Sequence, residues 1–191
     1  MKNLALLFVL LQVLVLPASA ADAPRECTLC VGITGSDGAD VPVLARVTED
    51  ELAAFAPARP QSLTVVVSYS VDTTAGDPLL NIEEHTKTIL DWARTRGPFD
   101  GLGVTVSNAT PEQTAYAIKR LAVSAQGLDV AKRIVVERSD SVAEAMAYFD
   151  ALLVPAADVE AATVWLAERD PSKKIYAVVD VTSPNALFDL G

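Results

Sequence analysis

From residue 41 onward, short runs of β-branched and other apolar residues alternate with amphipathic stretches, and most of those stretches open on a helix-start signal. The runs cover 41–47, 63–71, 101–106, 133–137, 151–155 and 174–181. They are continuously apolar rather than alternating, the pattern of strands buried on both faces in a parallel sheet. Thr48-x-x-Glu51, Thr110-x-x-Gln113 with Pro111 at the first helical position, and Ser141-x-x-Glu144 read as capping boxes. Asn81 followed by Glu84 is an Asx version of the signal, and Asp158 suits the N-cap of a helix through Val159, Ala162 and Leu166. Stops stand at Gly97-Pro98, at Gly127 before Leu128, and at Asp170-Pro171. This punctuation predicts an α/β fold of repeated βα units.

Six strands are countable, or seven if the "TLCVGI" run is one. The expectation is an incomplete (β/α)8 barrel, whose full form needs eight strands; the alternative is an open doubly wound parallel sheet. Ser183-Pro184 reads as one more helix start with only seven residues behind it, so the βα-repeat domain, residues 41–191, is expected to be cut at its C-terminus.

Residues 1–20 read as a Sec-type signal peptide. Lys2 supplies the positive n-region, Leu4 to Leu16 the apolar run, and Ala18-Ser19-Ala20 a small-residue cleavage site. A periplasmic or extracellular protein with no membrane span after cleavage is expected. The full chain has a net charge of −10, and loss of Lys2 leaves 14 basic against 25 acidic residues. That balance speaks against binding nucleic acid or an anionic membrane surface.

Residues 21–40 form a short N-terminal segment carrying Cys27 and Cys30 in "ECTLCVG". In an exported protein a local disulfide is the leading expectation, with free thiols and redox or metal chemistry as alternatives. A single histidine rules out HExxH, a facial iron triad and a His-rich zinc site, and no metal or cofactor is expected. No G-x-S-x-G elbow and no G-x-x-x-x-G-K-[ST] loop occurs; "GLGVTV" carries half of a dinucleotide fingerprint. His85 follows Ile82 by three residues, on or beside the apolar stripe of its helix, and reads as a half-buried packing residue away from any chemistry.

Candidate functional residues lie where apolar runs end, because the carboxyl ends of parallel strands form the functional face of βα folds. Glu137 and Asp180 are the candidate catalytic carboxylates, and Tyr69, Asp72 and Asn108 are candidate binding residues. Each has a structural reading beside it: Glu137 pairing with Arg133 or Arg138, Asn108 capping a helix, Asp72 turning the "DTTAGD" loop. The repeated Phe-Asp-x-Leu-x-Val at 99–104 and 149–154 puts Asp100 and Asp150 at the opposite ends of their strands, where loop-fixing hydrogen bonds are expected.

The stretch "GPFDGLGVTVS" resembles the D-x-x-D-x-D-x-E strand of chitinase-like TIM-barrel glycoside hydrolases. Asp100 matches the first acid, whereas Gly103, Thr105 and Ser107 stand at the other acidic positions, so the resemblance implies the layout and not chitinase activity. The functional expectation is an exported carbohydrate-processing hydrolase, inactive as this piece. The alternative is a non-catalytic cell-envelope protein that binds a sugar or peptide.

Overall fold

A computed structural model describes residues 28–32, 43–74, 76–137 and 140–180 of the chain. The proposed signal peptide, Cys27 and Ser183-Pro184 lie outside the described residues. Among the described residues seven strands, β1 (Thr28–Gly32), β2 (Val43–Thr48), β3 (Leu63–Ser70), β4 (Gly101–Ser107), β5 (Val135–Glu137), β6 (Ala151–Pro155) and β7 (Lys174–Asp180), form one sheet in the order β4-β3-β2-β1-β7-β6-β5. Two parallel three-stranded units, β2-β3-β4 and β5-β6-β7, are joined through β1, which runs antiparallel to both β2 and β7.

The outer strands of this order also meet. Phe99 bridges Ala131 and Leu102 bridges Ile134, both parallel. The Leu102 amide donates to the Arg133 carbonyl at 3.1 Å, and the Phe99 amide to that of Val130 at 2.9 Å. The seam holds isolated bridges rather than a ladder, so among the described residues the expected incomplete (β/α)8 barrel is seen only as parallel βα units, with no barrel closure. The antiparallel β1 likewise departs from the all-parallel sheet of the doubly wound alternative.

Helices α1 (Pro78–Arg96), α2 (Pro111–Leu128) and α3 (Val159–Ala167) cover the convex face. Ile82, Ile89, Trp92, Ile118, Leu121 and Leu166 pack there against Val65, Val67, Leu102, Val104, Leu152 and Ile175. A second, smaller cluster fills the concave face: Leu44, Val66, Val135, Ala151, Leu153 and Tyr176, drawn from five strands. Burial on both faces is why these strands are apolar throughout.

Gly101 and Gly103 give the seam its room. A Cβ on Gly103 would run into the Val135 carbonyl oxygen, and one on Gly101 would lie 2.7 Å from Thr64 Oγ1. The glycines of "GLGVTV" therefore serve close strand approach.

Several punctuation signals resolve differently from expectation. The Thr48 box is formed, but it caps a single 3-10 turn, Glu49–Glu51. Helix α1 starts earlier than its Asx signal: Asp77 caps it by accepting from the Leu79 amide, and Asn81 lies inside, accepting from the Asp72 amide. The Ser141 stretch is a 3-10 segment, Asp140–Tyr148, and α2 passes Gly127 to end at Asp129 in the left-handed region, φ 52°. The Thr110 box stands as read. Asp100 accepts from Arg133 at 3.0 Å and Asp150 from the Ile134 amide at 2.7 Å, so both fix loops at the amino ends of the strands.

Candidate functional site

Side chains alternate between faces along a strand, so the residue two past each concave apolar position lies one layer nearer the carboxyl ends. Those residues are Arg46 after Leu44, Thr105 after Gly103 and Glu137 after Val135. They meet: Arg46 Nε donates to Glu137 Oε1 at 2.7 Å, and Thr105 Oγ1 donates to Oε2 at 3.0 Å. In a flat sheet of this order β2 and β5 would be four strand spacings apart through β1, β7 and β6, roughly 19 Å. The direct ion pair depends on the curl of the sheet. Both partners keep water access, Arg46 at 47% and Glu137 at 29% side-chain exposure. A charged, hydrogen-bonded layer thus roofs an apolar floor at the carboxyl ends of the strands.

A second group sits at the carboxyl ends of β2, β3 and β4, on the side of α1. His85 Nδ1 is hydrogen-bonded to Glu49, which lies in the 3-10 turn just past β2. The Tyr69 ring stacks on the imidazole with centroids 4.4 Å apart. Burial, and secondarily the Glu49 charge, push the Tyr69 phenol well above its ordinary range, so it stays protonated. These residues line a cavity of about 420 Å³ with Ser68, Ser70 and Ser107.

Glu137 lies in the site and pairs with Arg46, whereas Arg133 is bonded to Asp100; Arg138 lies outside the described residues. Tyr69 walls the neighbouring cavity. Asn108 adopts φ 55° and donates to Ser70 Oγ at 2.8 Å, fixing the rim rather than capping α2, whose cap is Thr110. Asp72 accepts from the amide and hydroxyl of Thr74, an Asx turn at the loop after β3. Asp180 ends β7 opposite Thr28, and Cys30 pairs with Val178 in β1; only their backbones are described. The Cys27–Cys30 pairing falls outside the described residues.

Arg46, Thr105, Glu49 and His85 are the residues sequence reasoning missed. Arg46 is the lone charge inside an apolar run, a signal legible in hindsight as an inward-facing cation. His85 reads from the sequence as a half-buried packing residue on or beside the apolar stripe of its helix; a helix stripe cannot reveal that the turn after β2 delivers a carboxylate to it. Among the described residues, no group of three or more His, Cys, Asp or Glu side chains is placed to hold a metal, and no helix is long and apolar enough to cross a membrane. Comparison with protein-family models, with curated proteins and with solved structures finds no match to this chain.

Proposed function

We propose that the protein is an exported, barrel-like binding protein for a small hydroxyl-rich ligand of the sugar class, held at the carboxyl ends of the strands. The observation that carries this reading is the meeting of Arg46, Thr105 and Glu137 from three strands above an apolar floor. A guanidinium and a carboxylate that already satisfy each other are poised to share donors and acceptors with an uncharged polar ligand.

Binding is favoured over hydrolysis by the state of Glu137. Both of its oxygens are engaged, one by Arg46 and one by Thr105. A glycosidase needs a carboxyl group free to protonate the leaving oxygen, facing a second one across the scissile bond. Export rests on the leader-like residues 1–20, and the barrel layout on the meeting of β4 with the segment leading into β5.

Calorimetric titration of the purified protein with a panel of mono- and disaccharides tests the proposal. Glu137→Ala should weaken binding by about tenfold or more, the loss of a hydrogen bond to a charged group. Arg46→Ala should do likewise, and the double variant should lose less than the sum because the two residues act as a pair. Absence of binding across the panel overturns the reading. Turnover of aryl glycosides that Glu137→Gln abolishes replaces it with the hydrolase.

A further inference from the structure

Another cavity lies at the amino ends of the strands, opposite the proposed sugar site. It holds about 460 Å³ between the last turns of α2, the end of the 3-10 segment Asp140–Tyr148 and the loops that enter β5, β6 and β7. Those loops bring Lys132, Arg133 and Lys173 to its wall, against a single acid, Asp150. In a chain of net charge −10 the local balance is thus inverted. The Asp150 carboxylate is already engaged, accepting from the Ile134 amide at 2.7 Å.

The cations of the wall are less well satisfied. Arg133 directs one nitrogen to Asp100 Oδ1 at 3.0 Å, a small part of what a guanidinium can donate. Lys132 Nζ reaches the same oxygen only at 3.9 Å, and Lys173 Nζ is 3.7 Å from Asp170 Oδ2, both beyond hydrogen-bond length. Lys173 keeps only 15% side-chain exposure, and its ammonium lies 5.6 Å from the centre of the Phe149 ring, itself part of the wall. Lys119 adds a fourth cation, 5.4 Å from the ring centre of Tyr148, another wall residue. Ammonium donors short of acceptors at a concave wall suit an anion.

The rest of the wall narrows which anion. It includes Val123, more than half exposed on α2, together with Ala122, Ile134 and Phe149. A bare phosphate would take the cations and leave these surfaces wet. An uncharged hydrocarbon would strip the ammoniums of water with nothing in exchange. The charge of the whole chain repels a polyanion. One negative charge on an apolar body meets all three conditions.

We infer that this cavity binds a small organic acid, its carboxylate held by Lys132, Arg133 and Lys173 and its apolar body laid over Val123. The site is separate from the Arg46–Glu137 layer, and the inference does not depend on the sugar reading.

Calorimetric titration of the full chain with octanoate tests the inference. One octanoate should bind per chain, more weakly as salt rises. 1-Octanol, which lacks the charge, and inorganic phosphate, which lacks the body, should each bind at least about tenfold more weakly. Lys173→Gln should weaken octanoate by about tenfold, the loss of a hydrogen bond to a charged group. Val123→Asp, at an exposed helix position, should abolish binding while leaving the melting temperature near that of wild type. Arg46→Ala should leave octanoate affinity unchanged. Octanol bound as tightly as octanoate would make this an apolar pocket only, and phosphate bound as tightly a plain anion site; either overturns the inference. So does octanoate binding untouched by both Lys173→Gln and Val123→Asp, or no binding to the folded wild type. The three-ligand comparison needs only the wild-type chain, so a variant that fails to fold does not remove the test.

Discussion

At the scale of single residues, the ion pairs of this chain divide by what they can influence. Glu83 on α1 accepts from Arg120 on α2 at 2.5 Å and from the Tyr116 hydroxyl, tying two helices that are otherwise held by apolar contact. The Arg120 hydrogen bond first, then that of Tyr116, holds the Glu83 carboxyl below the usual carboxylate range. A group whose pKa falls on folding adds stability above its unfolded value and loses it as pH drops through the folded one. Glu83→Gln is therefore expected to melt at lower temperature than wild type at neutral pH. The difference should shrink as pH falls below the ordinary carboxylate range, and melting curves at neutral and acidic pH check it. A gap that stays constant with pH would assign the loss to packing instead. The side chains are about one-third exposed, so solvent screening keeps the effect modest.

At the scale of elements, local capping chemistry was more legible than the length or type of the helix it opens. The Thr110 box and the Gly97 stop stand, whereas the Thr48 and Ser141 signals open only 3-10 turns. Thr110 and Gln113 form a reciprocal cap because a first turn needs acceptors for its free amides whatever the rest of the fold does. The same Thr48–Glu51 box forms and yet nucleates a single 3-10 turn, since the chain turns away at Leu52 and Phe55 to bury them in the core. Capping satisfies a start; only packing along a face extends it. Gly127 shows the converse. It reads as a stop, but lies in the last turn of α2, where a Cβ would meet nothing within 4 Å. Gly127→Ala should therefore stabilise the protein by about 0.5–1 kcal/mol through helix propensity, read as a raised urea midpoint with unchanged slope. A destabilised variant would mean that the helix ends before residue 127 in solution.

At the scale of the whole molecule, the meeting of β4 with the segment before β5 is what assembles the proposed site, because it brings Glu137 across to Arg46. Two glycines permit it. Gly103→Ala, which forces a methyl group against the Val135 carbonyl, should cost about 1–3 kcal/mol and lower sugar affinity together with stability. The amides of Phe99, Leu102 and Lys132, bonded across the seam, should exchange with deuterium as slowly as those of β3 in the wild type and faster in this variant. Fast exchange in the wild type would show the seam open and the Arg46–Glu137 pair dependent on another cause.

The α/β class, the parallel pairing of most strands, the loop-fixing parts of Asp100 and Asp150, and the presence of Glu137 and Tyr69 at a strand-end rim were all determined locally. Strand burial, turn chemistry and capping act within a few residues and leave their mark in composition and spacing. The antiparallel β1, the seam at Gly103, the pairing of Arg46 with Glu137 and the delivery of Glu49 to His85 join residues far apart in the chain, 91 positions for Arg46 and Glu137 and 152 for Thr28 and Asp180. No local pattern encodes such pairs, because their energy appears only once the sheet has curled and water has left its concave face.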